Sequence, residues 1–125
     1  MSTGERQGEG KISDAIRDVL ARRVPALKLY RNSVGLFKAR GFRVWAGLPK
    51  GSADLIGVLR LEGLADRRIL GRFVALEVKR PGEKAESHQA AWLEEVRSFG
   101  GFAAVVCSPQ EALAAIERAK AGGAE

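Results

Sequence analysis

The run Phe73-Val74-Ala75-Leu76-Glu77-Val78 is the strongest constraint on what this chain can fold into. It has strand length and is almost continuously apolar, the pattern of a strand buried on both faces. Glu77 is the exception, and a carboxylate inside such a strand needs a partner. Side chains alternate along a strand, so Glu77 and Lys79 share one side while Val78 points to the other. A second apolar run, Asp54-Leu55-Ile56-Gly57-Val58-Leu59, opens on another carboxylate. If the two strands pair, Asp54, Glu77 and Lys79 converge. Two carboxylates from neighbouring strands suit Mg²⁺, which takes oxygen ligands and keeps several waters. A lysine beside them can orient water and offset phosphate charge, a grouping suited to metal-assisted phosphodiester hydrolysis. The competing reading of Glu-x-Lys is a solvated strand face, where most charged side chains lie.

Charge points the same way. Lys and Arg number 21 against 15 Asp and Glu, a net charge of +6 on 125 residues, with a pI near 10.0. That balance favours a polyanionic partner, nucleic acid before an anionic membrane. No apolar run is long enough to span a bilayer and no signal-peptide pattern is visible, so a cytoplasmic protein without a membrane partner is expected. With one Cys and one His, a zinc site of the usual ligands is excluded. Cys107 ends the apolar run Phe102 to Val106 and is expected to be a buried structural thiol.

The length suits one domain with one core. Residues 1–10 are Gly-rich and polar and are expected to be flexible. Ile12, Ile16, Val19 and Leu20 recur at helical spacing, in a helix that ends before Pro25. Strands are expected over Leu27 to Ser33, Phe42 to Ala46, Asp54 to Leu61 and the stretch ending at Lys79. Gly47 to Ser52 is a loop punctuated by Gly and Pro. A helix follows from Glu86 or Ser87 to Ser98, with Gly100-Gly101 closing it. Phe102 to Cys107 is a further strand. Ser108-Pro109-Gln110-Glu111 reads as a capping box opening a last helix, and residues 121–125 read as a frayed tail. The order implies an α/β fold with a mixed central sheet flanked by helices, because Lys79 to Phe102 through a helix is a parallel crossover.

Gly47-Leu48-Pro49-Lys50-Gly51-Ser52-Ala53-Asp54-Leu55-Ile56-Gly57, followed by Glu77-Val78-Lys79-Arg80-Pro81-Gly82, resembles the VRR-NUC family. This is a branch of the PD-(D/E)XK nuclease superfamily, found as stand-alone phage and bacterial proteins and as the nuclease domain of larger repair enzymes. The similarity extends through His88-Gln89-Ala90-Ala91-Trp92-Leu93 and Gly100 to Val106, and upstream through Tyr30-Arg31-Asn32-Ser33-Val34-Gly35. It implies a restriction-endonuclease-like PD-(D/E)XK core over residues 11–120. It also implies Mg²⁺ or Mn²⁺ as cofactor, with no small-molecule cofactor, and a homodimeric DNA endonuclease selective for branched DNA such as junctions or flaps. The cytosol expected is that of a bacterium or of a phage host. Two alternatives stand beside it. One is a restriction or recombination nuclease on other DNA. The other is a basic nucleic-acid-binding module that has lost cleavage.

By this resemblance Asp54 and Glu77 are metal ligands, with the backbone carbonyl of Val78 as a further one. Lys79 positions water or stabilises the charged phosphate. Glu9 is a possible added ligand from the first helix, provided the helix reaches it past Gly8 and Gly10. Gln89 has an argument of its own. It shares the helix face of Trp92, Leu93 and Val96, where a polar side chain needs a partner. Its role is either to accompany the catalytic Lys79 or to cap its own helix. Arg31 and Asn32 either contact phosphate or brace the site. Lys50, Arg80 and Lys84 form a basic rim for DNA, or a solvated surface. Trp45 and Phe37 are either dimer anchors or core.

Overall fold

A hydrophobic stripe at helical spacing begins the fold and near-continuous apolar strands complete it. The structure, a computed structural model, describes residues 3–63 and 66–125, with side chains from residue 8 onward except at residue 39. In chain order the elements are α1 (Thr3–Arg23), β1 (Leu27–Arg31), β2 (Gly35–Ala39), β3 (Phe42–Ala46), β4 (Leu55–Glu62), β5 (Ile69–Val78), α2 (Ser87–Ser98), β6 (Phe102–Val106) and α3 (Pro109–Lys120). Among these, β1-β4-β5-β6 form one sheet and β2-β3 a separate hairpin. β4 runs antiparallel to β1 and β5, and β6 runs parallel to β5. The parallel step passes through α2, so the sheet is mixed, as expected from the order of elements.

Alternation along the strands builds two apolar layers. Val74, Leu76 and Val78 face one way with Phe102, Ala104 and Val106, and pack with Ile16 and Leu20 of α1 and Ala112, Ala115, Ile116 and Ala119 of α3. Ala75 and Ala103 face the other way and meet Leu93 of α2 with Ala53. Small residues at that second layer let α2 sit close to the sheet. Among the described residues no helix is long and apolar enough to cross a membrane.

Four local readings are corrected. Helix α1 begins at Thr3, well before Ile12, and carries Gly8 and Gly10 within it. The polar stretch after Asn32 contains a strand, β2, paired with β3 around Arg40 (φ 38°) and Gly41 (φ 86°). Both turn residues have positive φ, the geometry of a two-residue type I′ turn. The tail is docked: Ala124 accepts the Ala103 N–H at 3.0 Å, extending the edge of β6, and Gly123 donates to Arg118 at 2.9 Å. The N-cap of α3 uses half of the expected box. The Glu111 N–H donates to Ser108 Oγ at 3.1 Å, but Glu111 reaches back to Cys107.

Candidate active site

The two carboxylates meet where β4 and β5 end. The register pairs Leu55 with Leu76, which sets Asp54 opposite Glu77. Asp54 Oδ2 accepts the Val78 N–H at 2.8 Å, so the carboxylate ties the start of β4 to the end of β5. Glu77 is 2% exposed and Lys79 6% exposed, and both lie on the side of the sheet that carries α2. Lys79 Nζ stands 3.9 Å from Glu77 Oε2. The solvated-strand reading of Glu-x-Lys does not apply.

Gln89 caps its helix and reaches Glu77. Its Oε1 accepts the Glu86 N–H at 2.8 Å, capping α2. Its Nε2 donates to Glu77 Oε2 at 3.2 Å. One amide therefore anchors a helix end and orients the buried carboxylate.

Glu9 arrives from the extended α1. Burial raises its pKa most; Lys79 lowers it, while Glu83 and Asp54 raise it. Glu77 is driven further, to about 9, first by burial, then by the charge of Asp54 and a hydrogen bond with it, against the pull of Lys79. Glu77 Oε1 and Glu9 Oε2 are buried with no hydrogen-bond partner. Buried acceptors without donors are costly, and a cation with its waters would satisfy both. Among the described residues no group of three or more His, Cys, Asp or Glu side chains is arranged to hold a metal. Mg²⁺ does not require one, since it is usually held by one or two carboxylates with waters and phosphates completing the octahedron. The donor chemistry of Asp54 and Glu77 fits that ion.

The loop before Asp54 is held from two sides. Asn32 donates through Nδ2 to Ser52 Oγ at 2.9 Å and to the Ala53 carbonyl at 2.8 Å. Its backbone N–H donates to the Asp54 carbonyl at 2.7 Å. Both amide hydrogens of Asn32 are thus committed to the loop, and the bracing role is the one realised. Gly51 has φ 95°, and a Cβ there would meet His88 Cδ2 and the His88 carbonyl at 2.9 Å. Only glycine lets the loop lie against α2.

Arg31 is exposed and lines a cleft of roughly 520 Å³ together with Glu9, Asn32, Asp54 and Val78. Lys50 and Lys84 are exposed. Arg80 is drawn into its own turn: its Nε and its backbone N–H both donate to Glu83 Oε1, at 2.9 Å and 3.0 Å. His88 is exposed and stands 3.5 Å from Glu86. Cys107 is half-buried, and its thiol donates to Glu111 Oε2 at 3.2 Å, which holds its pKa up. That makes it a poor nucleophile, though not the core thiol expected. Trp45 and Phe37 are 48% and 47% exposed, so neither is core.

Six lining residues, Gly10, Ser13, Asp14, Ser33, Val34 and Phe37, were not among the expected site residues. A signal for the first three exists. Gly10, Ser13 and Asp14 form a small polar stripe at helical spacing beside the apolar stripe of Ile12 and Ile16.

Residues 21–110 match the VRR-NUC domain family. No curated protein and no solved structure matches the chain. The match spans Asp54, Glu77, Lys79 and Gln89, and the mixed sheet flanked by helices is the PD-(D/E)XK-like fold of that domain. The chain belongs to the VRR-NUC family and is a nuclease.

Proposed function

We propose that this nuclease is a Mg²⁺- or Mn²⁺-dependent endonuclease that hydrolyses phosphodiester bonds in branched DNA. The observation that carries the reading is the pair of Glu77 and Asp54 at adjacent strand ends, with the buried Lys79 beside them and a buried Glu77 oxygen that no donor satisfies. When bound, the ion supplies a Lewis acid and a water of lowered pKa. Asp54 and Glu77 hold it, and Glu9 supplies a further carboxylate on the side of α1. The backbone of Val78 contributes its carbonyl, while its N–H fixes Asp54. Lys79 holds the attacking water in line and stabilises charge on the phosphate oxygens. Gln89 keeps Glu77 from rotating out of position. Arg31 and Lys50 receive neighbouring phosphates, with Lys84 on the rim. Arg80 shapes the turn behind Lys79 through Glu83.

One nuclease domain carries one such site, and one site cuts one strand. In a two-fold homodimer, the commonest closed assembly, two sites face a branched substrate and make paired cuts. The protein acts in the cytoplasm, where its DNA substrates lie. The test is cleavage of end-labelled junction, flap and linear duplex DNA with Mg²⁺, Mn²⁺ or EDTA, alongside sedimentation. Metal-dependent cutting of branched DNA by a dimer is expected. Cutting undiminished in EDTA contradicts the metal role, and equal cutting of linear duplex contradicts the selectivity.

A further inference from the structure

The β2–β3 hairpin is built unlike the rest of the domain. It forms a sheet of its own, and its large apolar side chains are turned to solvent: Leu36, Phe37, Phe42, Val44 and Trp45 are all exposed. A two-stranded ribbon is marginal in water unless something packs on it. Its two faces differ. Phe37 pairs with Val44 and Ala39 with Phe42, so Phe37, Val44 and Phe42 share one face. Phe37 lines the same cleft as Glu9 and Asp54, so this aromatic face is continuous with the site. The opposite face carries Leu36 against Trp45 and Lys38 against Arg43. Two cations directly opposed across a strand pair repel each other, and Arg40 adds a third at the tip in a left-handed conformation.

Charge selects the occupant. No Asp or Glu occurs between Asp18 and Asp54, while Arg22, Arg23, Lys28, Arg31, Lys38, Arg40, Arg43 and Lys50 all do. A second copy laid on the hairpin brings these like charges together. A nucleic-acid strand neutralises them. Exposed aromatic rings ask for unpaired bases, because bases in an intact duplex already have both faces covered.

We propose that the β2–β3 hairpin is a wedge for branch points. Phe37 and Phe42 stack on unpaired bases of the strand to be cut, and Lys38 and Arg43 hold the backbone of the other strand. This rests on the nuclease reading of the adjacent carboxylates and deepens it by naming how branched DNA is told from duplex. Gly47 fixes the wedge at its base: it has φ 93°, and a Cβ there would meet the Ser33 carbonyl at 2.7 Å.

The experiment measures binding in EDTA, where no cutting is expected. The probe is a fork carrying 2-aminopurine at its first unpaired position, compared with a blunt duplex of the same sequence. Wild-type protein should bind the fork more tightly than the duplex and quench the 2-aminopurine. Phe37→Ala and Phe42→Ala should each weaken fork binding about tenfold, since stacking on one ring is worth roughly that much. They should leave duplex binding unchanged, and Phe37→Trp should restore both quench and affinity. Both rings are exposed, and circular dichroism of each variant checks that the domain remains folded. Equal fork affinity in wild type and both Ala variants overturns the wedge and leaves the nuclease reading standing. Loss of self-association in Phe37→Ala without loss of fork binding assigns the face to a second copy and also overturns it. Failure of wild-type protein to bind either DNA overturns the nuclease reading and the wedge together.

Discussion

Replacing Glu77 by Gln should stabilise the metal-free protein at alkaline pH while abolishing its cleavage. Gln has the same shape, can donate to Asp54, and can accept from Gln89. What it removes is the charge. In the fold, burial and Asp54 raise the Glu77 carboxyl to about 9 from its ordinary 4.5. A group raised in the folded state contributes stability that is complete below the unfolded value and drains away as pH climbs toward the folded value. The window here runs from about pH 4.5 to about pH 9. At roughly 1.4 kcal/mol per pH unit, the loss at pH 8 has a ceiling of about 5 kcal/mol. Coupling to Asp54 and entry of water into the cleft reduce this to about 2–3 kcal/mol. For a domain of this size a 1 kcal/mol change moves Tm by about 4 °C. In EDTA at pH 8, Glu77→Gln should therefore melt about 8–12 °C above wild type, and the gap should close near pH 4.5. Calorimetric scans across pH 4.5–9 measure this. Melting curves of the variant and wild type that move in parallel over the whole range refute the buried-carboxyl argument.

Lys79→Met should lower the single-turnover cleavage rate by about 100-fold or more while leaving metal affinity near wild type; an unchanged rate in quench-flow would remove Lys79 from the chemistry. Asn32→Ala strips donors from Ser52, Ala53 and the loop that presents Asp54, and should cost about 1–3 kcal/mol in urea unfolding along with a loss of activity. DNA affinity should fall steeply with salt, as counterion release requires of a strongly basic chain; a flat dependence in anisotropy titrations points to a partner other than DNA.

The central strands were legible because burial leaves a plain record. Phe102 to Val106 is apolar without interruption, Val74 to Val78 is broken only by Glu77, and the turn residues bounding them fixed their ends to within a few positions. Asp54 and Glu77 could be singled out for the same reason, as carboxylates at the limits of apolar runs. The hairpin strand β2 was not legible. Gly35 to Ala39 has no period-two alternation, because both faces of that ribbon meet solvent and neither imposes a pattern. The start of α1 was missed because Gly8 and Gly10 have low helix propensity, a weak preference that tertiary context overrides. Asn32 shows a further limit. Its type allowed either phosphate contact or bracing, and only the positions of Ser52 and Ala53, twenty and twenty-one residues away, decide between them. The bond from Gln89 to Glu77 was beyond sequence for the same reason, since the helix face alone does not say which buried group the Nε2 meets.

The most direct test of the central claim is the rate of branched-DNA cleavage in Mg²⁺ by wild type, Asp54→Ala and Glu77→Ala, each shown by circular dichroism to be folded and by anisotropy to bind the same DNA. Wild-type cutting with no detectable product from either folded, binding-competent variant is the expected result. Cleavage by either variant at the wild-type rate would contradict the assignment of these two carboxylates as the catalytic centre.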